Sequence, residues 1–175
     1  MSVRLLLIAA IAAIASTAFV GGASAALTPR EETWTTKVVT IYNRMQSDVA
    51  TLNKQFAQRD IFVRASATQQ SNIKTLYDLT LCARKFQAAG SAPTDRLVKA
   101  GKALTAACTA FSLGAHEIAQ GLGLGTKDVT AGKSLSADAT TLLKKGIADV
   151  GAGKTSLAAL RTLLVKVSGQ SAFSA

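Results

Sequence analysis

Apolar side chains recur at helical spacing along most of this chain, in four successive stretches. Trp34, Val38, Ile41, Met45, Val49, Leu52 and Phe56 follow one another at alternating steps of four and three. That spacing puts them on one face of an α-helix and is incompatible with the period of two of a strand. Local residues mark the start. Thr28 is placed to cap, Pro29 stands where its missing N–H costs nothing, and Glu31 and Glu32 face the positive end of the helix dipole. The pattern weakens around Arg59 to Ser71, where Ile61, Phe62 and Val63 are contiguous and Ser66 to Asn72 is polar. A helix break is expected there.

Ile73, Leu76, Tyr77, Leu79, Cys82, Ala83 and Phe86 predict a second helix, closed by Gly90 and the Ser91-Ala92-Pro93 turn. Leu97, Gly101, Leu104, Cys108, Phe111, Ala115, Ile118 and Leu122 predict a third, which the glycine-rich stretch from Gly121 to Gly125 is expected to end. Thr126 and Asp128 then open an unusually long last helix. Its seam runs Gly132, Leu135, Ala139, Leu142, Gly146, Val150, Gly153, Leu157, Leu160, Leu164 and Val167. Gly132, Ala139, Gly146 and Gly153 stand seven apart, so one heptad position stays small. Each interior glycine costs up to about 1 kcal/mol against alanine, so the row implies close helix packing or a bend, the bend being expected between Gly146 and Gly153. Four helices joined by short connections predict an all-α fold, an up-and-down antiparallel four-helix bundle preceded by a cleavable signal peptide.

The residues before Thr28 follow a different logic. Met1 to Arg4 are a short positive segment, Leu5 to Val20 an apolar run, and Ala23-Ser24-Ala25 a small-residue cleavage site. These features predict a signal peptide over 1–25, cut before Ala26, and a single helical domain over 26–175. The alternative, an uncleaved anchor, needs about 20 apolar residues, more than this run supplies. No later run is long enough, so no membrane span is expected after cleavage, and the predicted location is secreted or periplasmic. Export places Cys82 and Cys108 in an oxidising compartment, where a disulfide is expected, with two buried free thiols as the alternative. Closing their loop would stabilise the domain by roughly 3.5 kcal/mol. The connection from Ala89 to Thr94 would have to absorb about 10 Å of axial offset at 1.5 Å per residue.

Composition narrows the class. At 49% hydrophobic and 17% charged residues the chain can build a core, which excludes a disordered tail. The 20 lysines and arginines against 10 acids give a formal charge of +10. The excess suits weak, salt-screened attraction to anionic envelope components, or else a merely solvated surface. On the last helix Lys133, Lys144, Lys145, Lys154, Arg161 and Lys166 cover a wide arc and form no single stripe. Nucleic acid is not an expected partner, because aromatic residues are few and the seams claim most of them.

Candidate chemistry is sparse. Ala148 to Thr155 imitates a phosphate-binding loop, but its first glycine is Ala148 and the preceding residues have helical spacing, so no strand delivers it. His116 is the sole imidazole. With Met45 it could bracket a haem inside a bundle, or it could simply flank the seam. No metal-ligand set, cofactor motif or catalytic group can be assembled. The expected function is that of an exported, non-enzymatic envelope-binding or structural module with weak affinity for anionic surfaces, self-associating through the glycine-lined face of the last helix. The alternative is a haem or small-ligand carrier using the interior around Met45 and His116.

Overall fold

The computed structural model describes residues 26–58 and 60–168; the predicted leader, Met1 to Ala25, lies outside them. Five helices account for nearly all of this: α1 Pro29–Phe56, α2 Ala67–Thr80, α3 Cys82–Ala89, α4 Asp95–Thr130 and α5 Ala137–Ser168. No strand occurs among the described residues. The Leu81 N–H still donates to the Tyr77 and Asp78 carbonyls, and Lys85 N–H to that of Leu81, so α2 and α3 form one nearly continuous rod and the chain folds as four.

Consecutive rods run antiparallel, as their cross-contacts show. Between α1 and the α2–α3 rod, Gln55 meets Ser71 at 2.7 Å, Arg44 meets Asp78 at 2.7 Å, and Trp34 reaches past α3 to Gly90 at 2.9 Å. Between that rod and α4, Gln69 donates to Thr126 at 2.8 Å, and Cys82 lies 5.1 Å from Cys108 between Cα atoms. Gly114 of α4 faces Gly146 of α5. Trp34, Met45, Leu79, Leu104, Phe111, Ile118, Leu157 and Leu160 fill the interior. The α1 start forms as its residues dictate: the Thr28 hydroxyl accepts the Glu31 N–H while the Glu31 carboxylate accepts the Thr28 N–H.

The tightest pairing joins α4 and α5. A methyl on Gly114 would sit 2.6 Å from the Gly146 carbonyl oxygen, and one on Gly146 would sit 2.7 Å from that of Gly114. The two backbones therefore touch. The last helix supplies Ala139, Gly146 and Gly153 of its small-residue row, and α4 supplies another, Ala100, Ala107, Gly114 and Gly121, all buried.

This pairing corrects several sequence expectations. Gly121 and Gly125 lie inside α4, and the last helix begins at Ala137, not at Thr126. These glycines are approach surfaces: a methyl on Gly121 would lie 2.8 Å from Leu143, and one on Gly125 2.6 Å from the Phe62 ring. The reversal occurs over 131–136, where Gly132 takes φ +69°, and Asp128 accepts the Ser136 N–H at 2.8 Å. Gly132 and Leu135 thus belong to the turn. α5 is continuous as a helix through Gly146 and Gly153, and Leu143 takes the buried place expected of Leu142. The glycine-lined face is covered by α4, so it is not open to a second copy. On α2, Ile73 and Tyr77 are each 60% exposed; the buried face carries Asn72, Thr75, Leu76 and Leu79. The polar run from Ser66 initiates α2, with the Ser66 hydroxyl accepting the Gln69 N–H at 3.0 Å.

Candidate functional site

The most strongly held polar group lies where the starts of α1 and α4 meet. The Glu31 carboxylate is 1% exposed, which a charge tolerates only with partners on every side. Its Oε1 accepts from the Thr94 hydroxyl at 2.5 Å and from Arg96 Nε at 2.6 Å. Its Oε2 accepts from the Thr28 N–H at 2.9 Å and the Thr28 hydroxyl at 3.0 Å, and is paired with Arg96 Nη2. Arg96 foremost, then Thr94 and Thr28, hold this carboxyl well below the usual glutamate range. Its acceptor positions are filled. Glu31 is therefore a clasp between two helix starts and has no free lone pair for a metal or a substrate proton. Sequence reasoning assigned it only to the dipole of its own helix, because Arg96 stands 65 positions away.

A second cluster bridges α1 and α2. Arg44 reaches Asp48 at 3.2 Å and Asp78 at 2.7 Å. Burial pushes the Asp48 carboxyl up, against the nearby Arg44 charge. A neutral knot lies lower down the same interface: Gln55 donates to Ser71 at 2.7 Å and Thr75 at 3.3 Å, and buried Asn72 donates to Gln55 at 3.1 Å. These groups tie helices to one another.

Between α3 and α4 runs an open groove of about 440 Å³, lined by Ala83, Phe86, Gln87, Ser91, Thr105 and Thr109, with Cys108 also on its wall. Its lining offers hydroxyls, on Ser91, Thr105 and Thr109, but no His, Lys or carboxylate to activate them, and Cys108 is joined to Cys82. The disulfide expected from export is thus present, and the short link from Gly90 to Thr94 takes up the axial offset.

The structure separates the two predicted haem ligands. Met45 is fully buried among the α1 contacts, whereas His116 is exposed on the outer side of α4. The seam residues beside it, Ala115 and Ile118, take the core, so the imidazole points away from any interior haem site. Residues 148–155 lie in the middle of α5 with Gly153 packed on Phe111. Their amides serve the helix and cannot cradle a phosphate. Among the described residues no group of three or more His, Cys, Asp or Glu could hold a metal, and no helix is long and apolar enough to cross a membrane.

What remains is the charged surface. Glu31, Asp48, Asp78 and Glu117 are drawn into pairs with Arg96, Arg44 and Lys145, and Asp128 is turned inward to cap Ser136. Lys37, Lys54, Lys74, Lys99, Lys102, Lys127 and Lys144 stay exposed. Pairing leaves the net positive charge as composition sets it, with bases in excess of acids. Comparison with protein-family models, with curated proteins and with solved structures finds no match.

Proposed function

We propose that the protein is an exported, non-enzymatic binding module: an up-and-down four-helix bundle, freed of a leader over 1–25, that associates weakly and reversibly with anionic surfaces of the cell envelope. One observation carries this reading. The 20 lysines and arginines outnumber the 10 acids to give a formal charge of +10, and Lys37, Lys54, Lys74, Lys99, Lys102, Lys127 and Lys144 stand exposed. Such an excess attracts polyanions through a field with a reach of about 8–10 Å at moderate salt. The Cys82–Cys108 disulfide supports a location outside the reducing cytoplasm. A non-enzymatic role is supported by the groove's lining, whose hydroxyls have no acid, base or free thiol among them.

The test is retention on anionic vesicles and on a soluble acidic polymer across a salt series. Binding to at least one of them at low ionic strength, falling steadily as salt rises, is the expected result. Binding to neither at low salt, or binding indifferent to salt, would overturn the reading. The haem-carrier alternative is not carried forward, because Met45 and His116 face opposite environments.

A further inference from the structure

We propose that the valley between the α2–α3 rod and α4 is a docking site for an acidic, amphipathic α-helix of a partner protein, an interaction distinct from general attraction to polyanions. The open groove beside the disulfide is one end of this valley, where Ala83 and Gln87 face Thr105 and Thr109. Helical periodicity carries both walls onward. Thr80 and Ile73 stand one and two heptads before Gln87, and His116 stands one heptad after Thr109. Tyr77 flanks the first row and Leu113 the second. Two cross-links set the register: Cys82 is bonded to Cys108, and Gln69 donates to Thr126 at 2.8 Å. Between these fixed points Tyr77 comes roughly level with His116, and Ile73 with Gln120.

Three of the six large hydrophobic side chains exposed among the described residues therefore share one stretch of surface: Ile73 and Tyr77 at 60% and Leu113 at 54%. Apolar residues exposed singly carry no message, whereas a tyrosine grouped with aliphatic neighbours has the make-up of an interface anchor. The walls are also held in place beforehand. The disulfide ties them near one end and Gln69 near the other, so a partner is spared the cost of ordering its own site.

Shape and charge select the occupant. Two antiparallel helices side by side leave a furrow that a third rod fills along its length, with an amphipathic helix laying its apolar stripe downward. The frame of this furrow is basic. Arg84 stands one heptad after Tyr77, Lys102 one heptad before Thr109, Lys74 beside Ile73, and Lys127 farther along α4, all exposed. Only two acids occur in α2, α3 and residues 96–127, and both turn away from the valley: Asp78 pairs with Arg44 of α1, and Glu117 with Lys145 of α5. Asp60 and Asp95 lie past its two ends, in the turn before α2 and at the first residue of α4. A second copy would set these bases against their own equivalents, and a bilayer is flat where this surface is furrowed. A helix with an apolar stripe and acidic flanks answers both features.

The test uses the purified product of the full-length sequence, disulfide intact, and a labelled, helix-stapled peptide of about 20 residues, ~30 Å long, with leucines along one stripe and glutamates flanking it. Anisotropy is read at physiological salt, where exposed charges are screened beyond about 8 Å. Saturable binding about tenfold tighter than that of a scrambled peptide of the same composition is expected. Tyr77→Ser and Leu113→Ser should each weaken it about tenfold, with circular dichroism unchanged because both side chains are exposed. Lys102→Glu combined with Lys127→Glu should also weaken it about tenfold, while the matched reversal of Lys37 and Lys144, on α1 and α5, should change it less than about twofold. His116 is the single imidazole, so its ring resonances report the valley directly and should shift when the peptide binds. Failure of the stripe peptide to bind, equal affinity for the scrambled peptide, equal losses in the two charge-reversed variants, or unmoved His116 resonances would each overturn the proposal. A parent that dimerises and becomes monomeric on Tyr77→Ser would overturn the choice of partner in favour of a second copy. Binding to anionic vesicles that Tyr77→Ser abolishes, without peptide binding, would overturn it in favour of lipid.

Discussion

Replacing Gly114 by Ala introduces a single methyl at the place where the α4 and α5 backbones touch. In an open helix this change would stabilise by up to about 1 kcal/mol, because alanine has the higher helix propensity. Here the new Cβ would lie 2.6 Å from the Gly146 carbonyl oxygen and 2.9 Å from the Val150 amide nitrogen. Both are main-chain atoms, so no side chain can swing aside. Reaching ordinary contact requires the helices to separate by roughly 0.8 Å, which strips contact from the flanking Phe111, Ile118 and Leu143. Overpacking of this kind costs about 1–3 kcal/mol, so a net loss of about 1–2 kcal/mol is expected after the propensity gain. Gly123 and Gly151, helical glycines with nothing within 4 Å of an added methyl, provide the control. Their alanine variants should gain about 0.5–1 kcal/mol. Urea unfolding followed by circular dichroism reads both signs from the shift in midpoint. The double variant at Gly114 and Gly146 sharpens the test. One separation relieves both clashes, so its cost should fall short of the sum of the singles. If Gly114→Ala is as stable as the parent, or moves in the same direction as Gly123→Ala, the backbone contact is not what holds this pair together.

Three further outcomes follow from the same structure. The carboxyl of Glu31 is depressed in the folded state, so its contribution is complete at neutral pH and is lost as pH falls through and below about 4.5, the ordinary glutamate value. Unfolding midpoints of the parent should therefore drop in acid more steeply than those of Glu31→Gln. Asp48, whose carboxyl is raised by burial, acts in the opposite sense but equally in both proteins; parallel acid limbs would refute the clasp. Replacing Cys82 and Cys108 together by Ser should cost about 2–4 kcal/mol in urea unfolding, with reductant lowering the parent to the same midpoint; a midpoint indifferent to reductant would refute the stabilising role of the bridge. Trp34, the single tryptophan, is 4% exposed. Its fluorescence should be blue-shifted when folded and move red on unfolding, and an emission already red in native buffer would contradict its burial.

The parts of the fold legible beforehand are those encoded locally. Thr28, Pro29 and Glu31 announce the start of α1 within four residues, and its seam from Trp34 to Phe56 needs no partner to be read. Gly90 marks the end of α3 for the same reason, with φ +82°. The boundary between the last two helices was not legible, because a glycine that ends a helix and a glycine that admits a neighbouring helix look alike in one dimension. Gly121 and Gly125 are of the second kind, and only Leu143 and Phe62, brought up by the fold, reveal it. Phase errors have a similar origin: Ile73 and Tyr77 share a helical stripe as regular as that of Leu76 and Leu79, and the tertiary partner chooses between them. Of the candidate sites, the Cys82–Cys108 pair could be inferred from compartment and count. The Glu31–Arg96 clasp could not, since either residue alone suggests an ordinary surface charge.

The paired small-residue rows of α4 and α5 also bear on how the chain finds its structure. Alanine and glycine have no rotamers to immobilise, so these rows themselves add no side-chain entropy cost to bringing the two helices together. The six residues 131–136 that join them close a short loop, and sequence-near contacts form fastest. The C-terminal hairpin is thus poised to assemble as an early scaffold, onto which α1 and the α2–α3 rod, with their bulkier and farther-reaching contacts, condense later. Its amides should then be the last to surrender protection in native-state hydrogen exchange.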